Sequence, residues 1–442
     1  MEYHEPGPRS RRIVLQEQRH MAPGLQSFAQ YAGLAMARGR GALLYDEDGN
    51  EYIDFIAGIG VGSVGHCHPH YVDALKQQVE RLTFGSFTTE TRARFLDLLA
   101  TLTPEGLTRI QMFSGGAEAV EAAIRLAKAA TGKHEVIGFW GGFHGKTGGV
   151  LGLLGSEWKH HMGPFMPGQY LSPYADCDHC PLRLRYPECG IACAEYVRDV
   201  IRYQTAGEIA AIIVEPIQGT AGNVIPPDGF LRAVQAIARE HDALLIVDEM
   251  LTGFGRTGAM WGSEHDGVIP DIMTVGKGMG GGFPLSGVIS TDLLTSRKPW
   301  SNPSASSSSY GGNPLAAAAG LAALEIIVKE DLVKNADRVG RSMRSALETM
   351  KEQHECIGVV RGRGLMLGIE LVRDRKTKEP IAKEFTKTLY QECLRRGLVA
   401  MTYSHAVRIN PPLVIREETA LAGLAILDDA LLATSRAHGR ER

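Results

Sequence analysis

Two short stretches of the sequence, residues 244–258 and 272–278, decide the fold. The first is Leu-Leu-Ile-Val-Asp-Glu-Met-Leu-Thr-Gly-Phe-Gly-Arg-Thr-Gly, and the second is Ile-Met-Thr-Val-Gly-Lys-Gly. Each begins with four residues that are apolar or β-branched, which is typical of strands buried on both faces of a parallel sheet. The charged residues that follow, Asp248 and Lys277, are therefore predicted to lie at the carboxyl edge of that sheet, where open α/β proteins bind ligands.

The same pattern extends on both sides of these stretches. Between about residues 70 and 290, short apolar runs alternate with segments of helical periodicity, which predicts an α/β domain with a mostly parallel sheet. The predicted strands are Ile110–Phe113, Val136–Phe139, Ala211–Val214, Leu244–Val247, Ile272–Val275 and Gly287–Ile289. The predicted helices are Tyr71–Leu82, Arg92–Leu102, Ala117–Ala130, Ala192–Tyr203, Gly229–Glu240 and a long one at Pro314–Lys329.

The two ends of the chain differ from this central part. A hairpin is predicted from Gly41–Tyr45, a turn at Asp48–Asn50, and Tyr52–Phe55. After residue 330 the pattern becomes helix, strand, helix, strand, helix, which indicates a smaller α+β unit. We therefore expect an N-terminal arm with part of the small domain at residues 1–60, a large domain at 61–325 and a C-terminal small α+β domain at 326–442.

The composition excludes several classes of protein. Of 442 residues, 44% are hydrophobic and 22% are charged, and the net charge is -3. These values are ordinary for a globular protein and show no basic footprint for nucleic acid. The longest apolar run, Leu315–Val328, is interrupted by Glu325, and residues 1–12 lead into no apolar signal-peptide core. We expect no nucleic-acid partner, no membrane association and a cytoplasmic location.

Four of the seven cysteines fall within seventeen residues, as C-x2-C-x8-C-x3-C. Four thiolates are a sufficient ligand set for a zinc or iron–sulfur site. The alternative is a loop of reduced, partly buried thiols, which we favour because no histidine spacing supports a metal site. We therefore expect no metal, and the candidate ligands, should one bind, are Cys177, Cys180, Cys189 and Cys193.

Small, aromatic or charged residues follow five of the predicted strands. Singly, each could be a helix cap or a salt-bridge partner. Together they supply amide groups for a phosphate, a stacking aromatic ring, an acid that can hold a pyridinium proton, and a lysine that can form a Schiff base. Those are the parts that an enzyme using pyridoxal 5′-phosphate (PLP) requires. They are Ser114, Gly115, Gly116, Phe143, His144, Glu215, Asp248 and Lys277.

The chain resembles the class III (ω-type) aminotransferases, from about residue 30 to the C-terminus. The resemblance implies the aspartate aminotransferase-like PLP fold (fold type I), with a mostly parallel seven-stranded sheet in a large PLP-binding domain. It also implies a homodimer whose active sites are shared between subunits. The stretches that carry it are Phe113–Ala119, Phe143–Gly145, Val214–Gly219, Asp248–Gly258, Gly276–Gly278 and Ser309–Pro314.

The resemblance also implies a role for each residue of the site. Lys277 forms the internal aldimine with PLP and moves the substrate α-proton, while Asp248 pairs with the ring nitrogen. The phosphate is held by Gly115 and Gly116, with Ser309 reaching it from the partner subunit. The other implied cofactor contacts are Ser114, His144, Phe143 and Met250 on the two ring faces, and Glu215, which orients groups near the substrate.

Departures from the family pattern bear on the substrate. Thr220 stands where glutamate-accepting members carry a second glutamate, the partner that neutralises an arginine corresponding to Arg408. Without that partner, Arg408 is expected to bind a substrate carboxylate, although a structural ion pair is an alternative. Lys146 replaces an arginine and is a weaker clamp for a second carboxylate. Leu251 replaces a glutamine that commonly touches the ring hydroxyl.

We therefore predict a PLP-dependent aminotransferase that moves an amino group from an amine or amino-acid donor to a keto acid or aldehyde. A PLP-dependent racemase or epimerase, or a decarboxylating transaminase, remains an alternative, because the chain also resembles dialkylglycine decarboxylase and the amino-acid and amino-lactam racemases. A binding protein on an inactive PLP fold is disfavoured by the intact Lys277 and Asp248. The identity of the donor stays open.

Overall fold

The computed structural model describes residues 4–439, and the chain divides into two compact units. The larger unit is His70–Val333, and the smaller one combines Met1–Pro69 with Lys334–Arg442. The boundaries predicted from the sequence, after residues 60 and 325, each lie a short distance before these. Among the described residues, no helix has both the length and the apolar character needed to cross a membrane.

The helices and strands are numbered in chain order. The N-terminal segment contains α1 (Pro8–Gln18), α2 (Ser27–Ala32), β1 (Met36–Arg40), β2 (Leu43–Asp46), β3 (Glu51–Asp54) and α3 (Ala57–Gly60). The central segment contains α4 (Pro69–Val79), α5 (Glu90–Leu102), β4 (Arg109–Phe113), α6 (Gly116–Thr131), β5 (Glu135–Phe139), β6 (Gln169–Ser172), α7 (Ala192–Gln204), β7 (Ile209–Val214), α8 (Phe230–Glu240), β8 (Leu244–Asp248), β9 (Ile272–Val275), β10 (Ser286–Ser290), α9 (Asp292–Thr295) and α10 (Pro314–Lys329). The C-terminal segment contains α11 (Leu332–Gln353), β11 (Ile357–Arg363), β12 (Met366–Asp374), β13 (Glu379–Pro380), α12 (Lys383–Arg395), β14 (Leu398–Val399), β15 (Ala406–Ile409) and α13 (Glu417–Ala437).

A seven-stranded sheet forms the centre of the larger unit, in the order β4-β10-β9-β8-β7-β5-β6 within the described residues. Strand β10 runs antiparallel to both of its neighbours, and the other neighbouring pairs are parallel. Every residue of β5, β7, β9 and β10 is buried. This arrangement confirms the predicted α/β fold with a mostly parallel seven-stranded sheet. It also places the carboxyl ends of β4, β5, β7, β8 and β9 at one edge.

The six predicted strands of this sheet are all present, and β6 was not predicted. Its sequence, Gln-Tyr-Leu-Ser, is short and half polar, and three of its four residues are only partly buried because it lies at the edge of the sheet. Helix α10 has the predicted bounds. Pro314 occupies the start of the helix, and the side chain of Asn313 accepts a hydrogen bond from Ala316 N.

The smaller unit contains two sheets of four strands each within residues 4–439. One has the order β1-β2-β3-β14, and β2 and β3 form the hairpin expected from the sequence, with Leu44 opposite Tyr52. The other places β11 and β13 beside β12, which also pairs with β15. Where the sequence pattern predicted one strand after α11, the chain turns at Gly364 (φ 54°) and makes a hairpin of two.

Candidate active site

Asp248 is the last residue of β8, and its carboxylate is buried and fully engaged. His144 Nδ1 donates to Asp248 Oδ2 at 2.7 Å, while Asp248 Oδ1 accepts from Thr274 Oγ1 at 2.9 Å and from Met250 N at 3.1 Å. Thr274 lies directly opposite Asp248 in the β8–β9 register. Donors from two other segments therefore fix the orientation of this carboxylate.

The imidazole of His144 is buried together with its partner, with side-chain exposures of 1% and 2% for His144 and Asp248. Burial lowers the pKa of His144, but the hydrogen bond to Asp248 and the charges of Asp248 and Glu215 outweigh it, so the pKa is raised overall. The imidazole therefore keeps a proton on Nδ1, directed at the carboxylate.

Glu215 follows β7 and lies beside this pair. Its Oε1 accepts from Phe143 N at 2.8 Å and its Oε2 from Gly219 N at 3.2 Å. The hydroxyl of Tyr174 donates to the main-chain oxygen of Glu215 at 3.0 Å, which holds the turn after the strand. Burial raises the pKa of Glu215 to about 7, with the charge of Asp248 adding to the rise and that of His144 opposing it. Near neutral pH, Glu215 can therefore gain or lose a proton.

We expect Glu215 to make stability depend on pH. Its raised pKa means that the folded chain holds the proton through the window from 4.5 to about 7, where the unfolded chain releases it. Raising the pH through this window should lower the free energy of unfolding by on the order of 3 kcal/mol. Urea titrations from about pH 5 to pH 8 should show a smaller decline in Glu215→Gln than in the wild type. Equal declines in both proteins would contradict this assignment.

The turn between β4 and α6 carries the predicted phosphate cup. The carboxylate of Glu118 accepts from Ser114 N at 3.1 Å and from Gly115 N at 3.4 Å. Two of the predicted amides thus bind the chain's own side chain. The amides of Gly116 and Ala117, in the first turn of α6, have no carbonyl four residues earlier within the helix to bind. The glutamate three residues after Gly115 is the sequence signal that could have revealed this.

Two close approaches hold this turn against the rest of the site. Gly145 has φ +119°, and a β-carbon there would lie 2.3 Å from that of Ala117, so the loop carrying Phe143 and His144 packs on the first turn of α6. The side chain of Met250 packs against both Gly116 and Gly276. A β-carbon at Gly116 would lie 3.2 Å from Met250 Sδ, and one at Gly276 only 2.3 Å from it. Met250 therefore lies between the helix terminus and the residue that precedes Lys277.

Lys277 begins the turn after β9, the strand paired with β8. Its φ of +42° places a lysine in the left-handed region, which costs a residue with a β-carbon on the order of 1 kcal/mol or more. Strain of this kind persists where the surrounding structure demands it, and it is concentrated at functional sites. The lysine is partly exposed, whereas the residues of β9 are buried.

Phe143 forms an aromatic pair with Trp158 that the sequence analysis did not predict. The rings of Phe143 and Trp158 meet edge to face, with centroids 5.7 Å apart. Lys146 Nζ lies 4.4 Å from the centroid of Trp158 and 5.9 Å from that of Phe143, so a cation–π contact positions its ammonium group. Trp158 is fifteen residues from Phe143 in an irregular loop, where no periodic pattern marks it.

The remaining predicted residues lie at several places. Thr220 is in the turn just after Gly219, which donates to Glu215. Ser309 is exposed in a turn whose Gly311 packs tightly on the main chain of Met112. Arg408 lies on β15 in the smaller unit. Burial raises the pKa of the Tyr403 hydroxyl, and the charge and hydrogen bond of Arg408 only partly oppose that rise.

These residues fit a bound PLP. A buried carboxylate whose other contacts are all donors can face a protonated pyridine nitrogen, and amides without helical acceptors can face a phosphate. A lysine begins the turn after β9, the strand that pairs with the strand of that carboxylate. The thioether of Met250 lies between the N-terminus of α6 and the residue that precedes the lysine.

Comparisons with known proteins agree with this geometry. The family described as aminotransferase class-III matches residues 27–431. An acetylornithine aminotransferase of Methanopyrus kandleri is 39% identical over 407 residues, covering 91% of this chain and 95% of that protein. A leucine/methionine racemase of Thermococcus litoralis is 36% identical, covering 91% of each chain. An amine transaminase from an uncultivated Pseudomonas species, solved in its PLP-bound form, is 28% identical with a TM-score of 0.86, covering 94% of this chain and 98% of that one.

The family match spans most of the chain, and the solved structures confirm the predicted PLP fold type. Asp248 ends β8, Lys277 follows β9, and the N-terminus of α6 follows β4, all at the carboxyl edge of the seven-stranded sheet. The protein belongs to the class III aminotransferase family, and it is an aminotransferase that uses pyridoxal 5′-phosphate.

Proposed function

We propose that Lys277 and Asp248 carry the chemistry of this aminotransferase. The observation that supports this most strongly is the buried Asp248–His144 pair, held at 2.7 Å on the strand next to the one that leads to Lys277. When bound, PLP supplies an aldehyde that accepts an amine and a protonated ring that withdraws electrons. Asp248 would pair with the ring nitrogen, and the hydrogen bond from His144 would hold the Asp248 carboxylate in place.

The rest of the site holds and orients. The amides of Gly116 and Ala117, rather than those of Ser114 and Gly115, would bind the phosphate, because Glu118 already engages the latter two. Phe143 and Met250 would cover the two faces of the ring. Ser309 would complete the phosphate site from a second copy of the chain, so the active form would be a homodimer. Its location would be the cytoplasm.

Proton transfer would fall to Lys277. Its Nζ would take the proton from the donor carbon and return it to the cofactor carbon that receives the amino group, which requires an amine that can move between two positions. Glu215 binds the loop that carries Phe143 and would orient groups near the substrate. Hydrogen bonds from two main-chain amides keep its carboxylate in one orientation.

The donor is proposed to be an amino acid or amine that carries a carboxylate. Arg408 would bind that carboxylate, because Thr220 stands where a neutralising glutamate would be. Lys146 packs against Trp158 and Phe143 and offers a second positive charge. Its ammonium group cannot bind a carboxylate through two parallel hydrogen bonds as an arginine can. The acceptor would be a keto acid or an aldehyde.

A donor and acceptor screen tests this function. Amines and amino acids are added singly with a keto acid, and the amino product is measured. We expect turnover that depends on the keto acid, and Arg408→Ala should raise KM about tenfold or more for carboxylate donors while sparing amines without one. Arg373→Ala, which removes an exposed arginine of β12, is the matched control. An unchanged KM for every donor in Arg408→Ala would show that this arginine has a structural role.

Racemisation is the second candidate, and the names of two relatives favour it. The leucine/methionine racemase covers 91% of this chain, and an alanine/serine racemase of Pyrococcus horikoshii is 33% identical and covers 96% of it. A racemase would destroy the optical activity of a single amino acid with no keto acid present. A transaminase would leave the optical rotation unchanged until an acceptor is added. Incubation of one enantiomer with and without a keto acid therefore separates the two activities.

A further inference from the structure

Four cysteines of the larger unit lie around one small cavity that the proposed chemistry does not use. This four-cysteine cluster consists of Cys177, Cys180, Cys189 and Cys193, all of which are free thiols. The first three belong to the irregular segment between β6 and α7, and Cys193 lies in the first turn of α7. The cavity measures about 10 Å³, which is room for one atom-sized occupant.

All four thiols line this one cavity. If they lost their protons together, the like charges would repel one another at close range. Four thiolates could therefore occupy the cavity only with a cation among them.

The walls of the cavity offer no such cation. Among the described residues, the walls are apolar, aromatic or proline, apart from the cysteines and Asp176, and no Lys or Arg side chain lines them. The main-chain amide of Leu184 donates to Cys180 Sγ at 3.4 Å, a contact that stabilises sulfur in its anionic form. A soft divalent cation would supply the charge that the walls lack.

We propose that the four-cysteine cluster binds one soft divalent cation of the zinc class, which ties the segment before α7 to the first turn of that helix. Four thiolates are the ligand set of a closed structural zinc site. Binding releases the thiol protons to the buffer and changes no oxidation state. As the chain stands, residues 4–439 contain no group of three or more His, Cys, Asp or Glu already arranged to hold a metal ion, so the sulfurs must close in around it.

A disulfide is a less suitable explanation for the cluster. Its formation needs an oxidant for each pair of thiols, and all four thiols are free. A single cation also explains why all four sulfurs line the same cavity, whereas disulfides would pair them two by two. The segment around the cluster consists of turns, which can close around a cation without breaking a helix or strand.

Metal analysis of the purified full-length enzyme tests the proposal. After incubation with zinc and removal of the excess, mass spectrometry should find about one zinc per chain. Cys177→Ser and Cys189→Ser should each lower the zinc content at least about fivefold. Cys67→Ser, which removes an exposed cysteine of the smaller unit, should retain it. Lys277→Ala should also retain zinc, so failure of the proposed function and failure of this site can be told apart.

Thiol alkylation of the unaltered chain provides a second measurement, should a serine variant fail to fold. Zinc should protect the four cluster cysteines from iodoacetamide while Cys67 reacts as before. The proposal is overturned by zinc content no higher in the wild type than in Cys177→Ser, or by alkylation that zinc does not slow. It is equally overturned by disulfides between cluster cysteines in the purified enzyme, or by iron with inorganic sulfide in place of zinc.

Discussion

Lys277→Ala should abolish amino-group transfer, with kcat falling by about 10³-fold or more. The variant loses the amine that joins the cofactor and the group that carries the proton between two positions. We do not expect Lys146 to replace it, because Lys146 is held against Trp158 and Phe143 and belongs to another loop. Alanine keeps a β-carbon, so the φ of +42° at position 277 costs it no more than it costs lysine, and the fold should be retained.

The measurement is turnover at saturating donor and acceptor, with Lys387→Ala as the control. Lys387 is exposed on α12 in the smaller unit, and its loss should leave kcat unchanged. Borohydride reduction of the wild type followed by peptide mapping should place the pyridoxyl group on Lys277. A pyridoxyl group on another lysine, or a Lys277→Ala enzyme that turns over at the wild-type rate, would refute the assignment.

Asp248→Asn should lower kcat by about 10²-fold to 10⁴-fold while the chain stays folded. The amide is nearly the same size, so contacts with Thr274 and Met250 can persist. It carries no charge, however, and cannot hold a proton on the pyridine nitrogen. His144 loses the partner that raises its pKa, so its pKa should fall toward the low value that burial favours.

The neighbouring residue offers a matched comparison. Glu249 is also buried, but its carboxylate accepts from Gly262 N, from Ser263 N and from the Thr252 hydroxyl. Glu249→Gln should therefore cost about 1–3 kcal/mol of unfolding free energy. Urea denaturation and kcat measured on both variants should separate the two roles. If Asp248→Asn lost stability and kept its activity, Asp248 would be another structural carboxylate.

Much of the fold could be predicted from local sequence. Runs such as Ala211–Val214 and Ile272–Val275 are apolar throughout, and that pattern marks a buried strand wherever it occurs. Helix α10 was predicted near its observed bounds, and in the structure Asn313 caps it and Pro314 begins it. The edge strand β6 escaped prediction because half of its residues are polar and its hydrogen-bonding partner, β5, is distant in the chain.

In the candidate site, too, some residues could be predicted from the sequence and others could not. The residues that follow strands could be named in advance because strand ends are local features, and Asp248, Lys277 and Glu215 are among them. Their partners could not be named. His144 was expected to contact the cofactor, but its bond to Asp248 joins residues 104 apart in the chain. Glu118 was overlooked, although it engages two of the amides that had been expected to hold the phosphate.

The order of residues along this chain determined which strands are buried, where they end, and hence which carboxylate and which amine stand at the ligand edge. That information is local, since it depends only on side-chain polarity over a few positions. Tertiary structure alone decided that an imidazole supports Asp248, that Trp158 holds Lys146, and that four thiols surround one cavity. Such pairings depend on how distant segments pack, and no short pattern of residues encodes that packing.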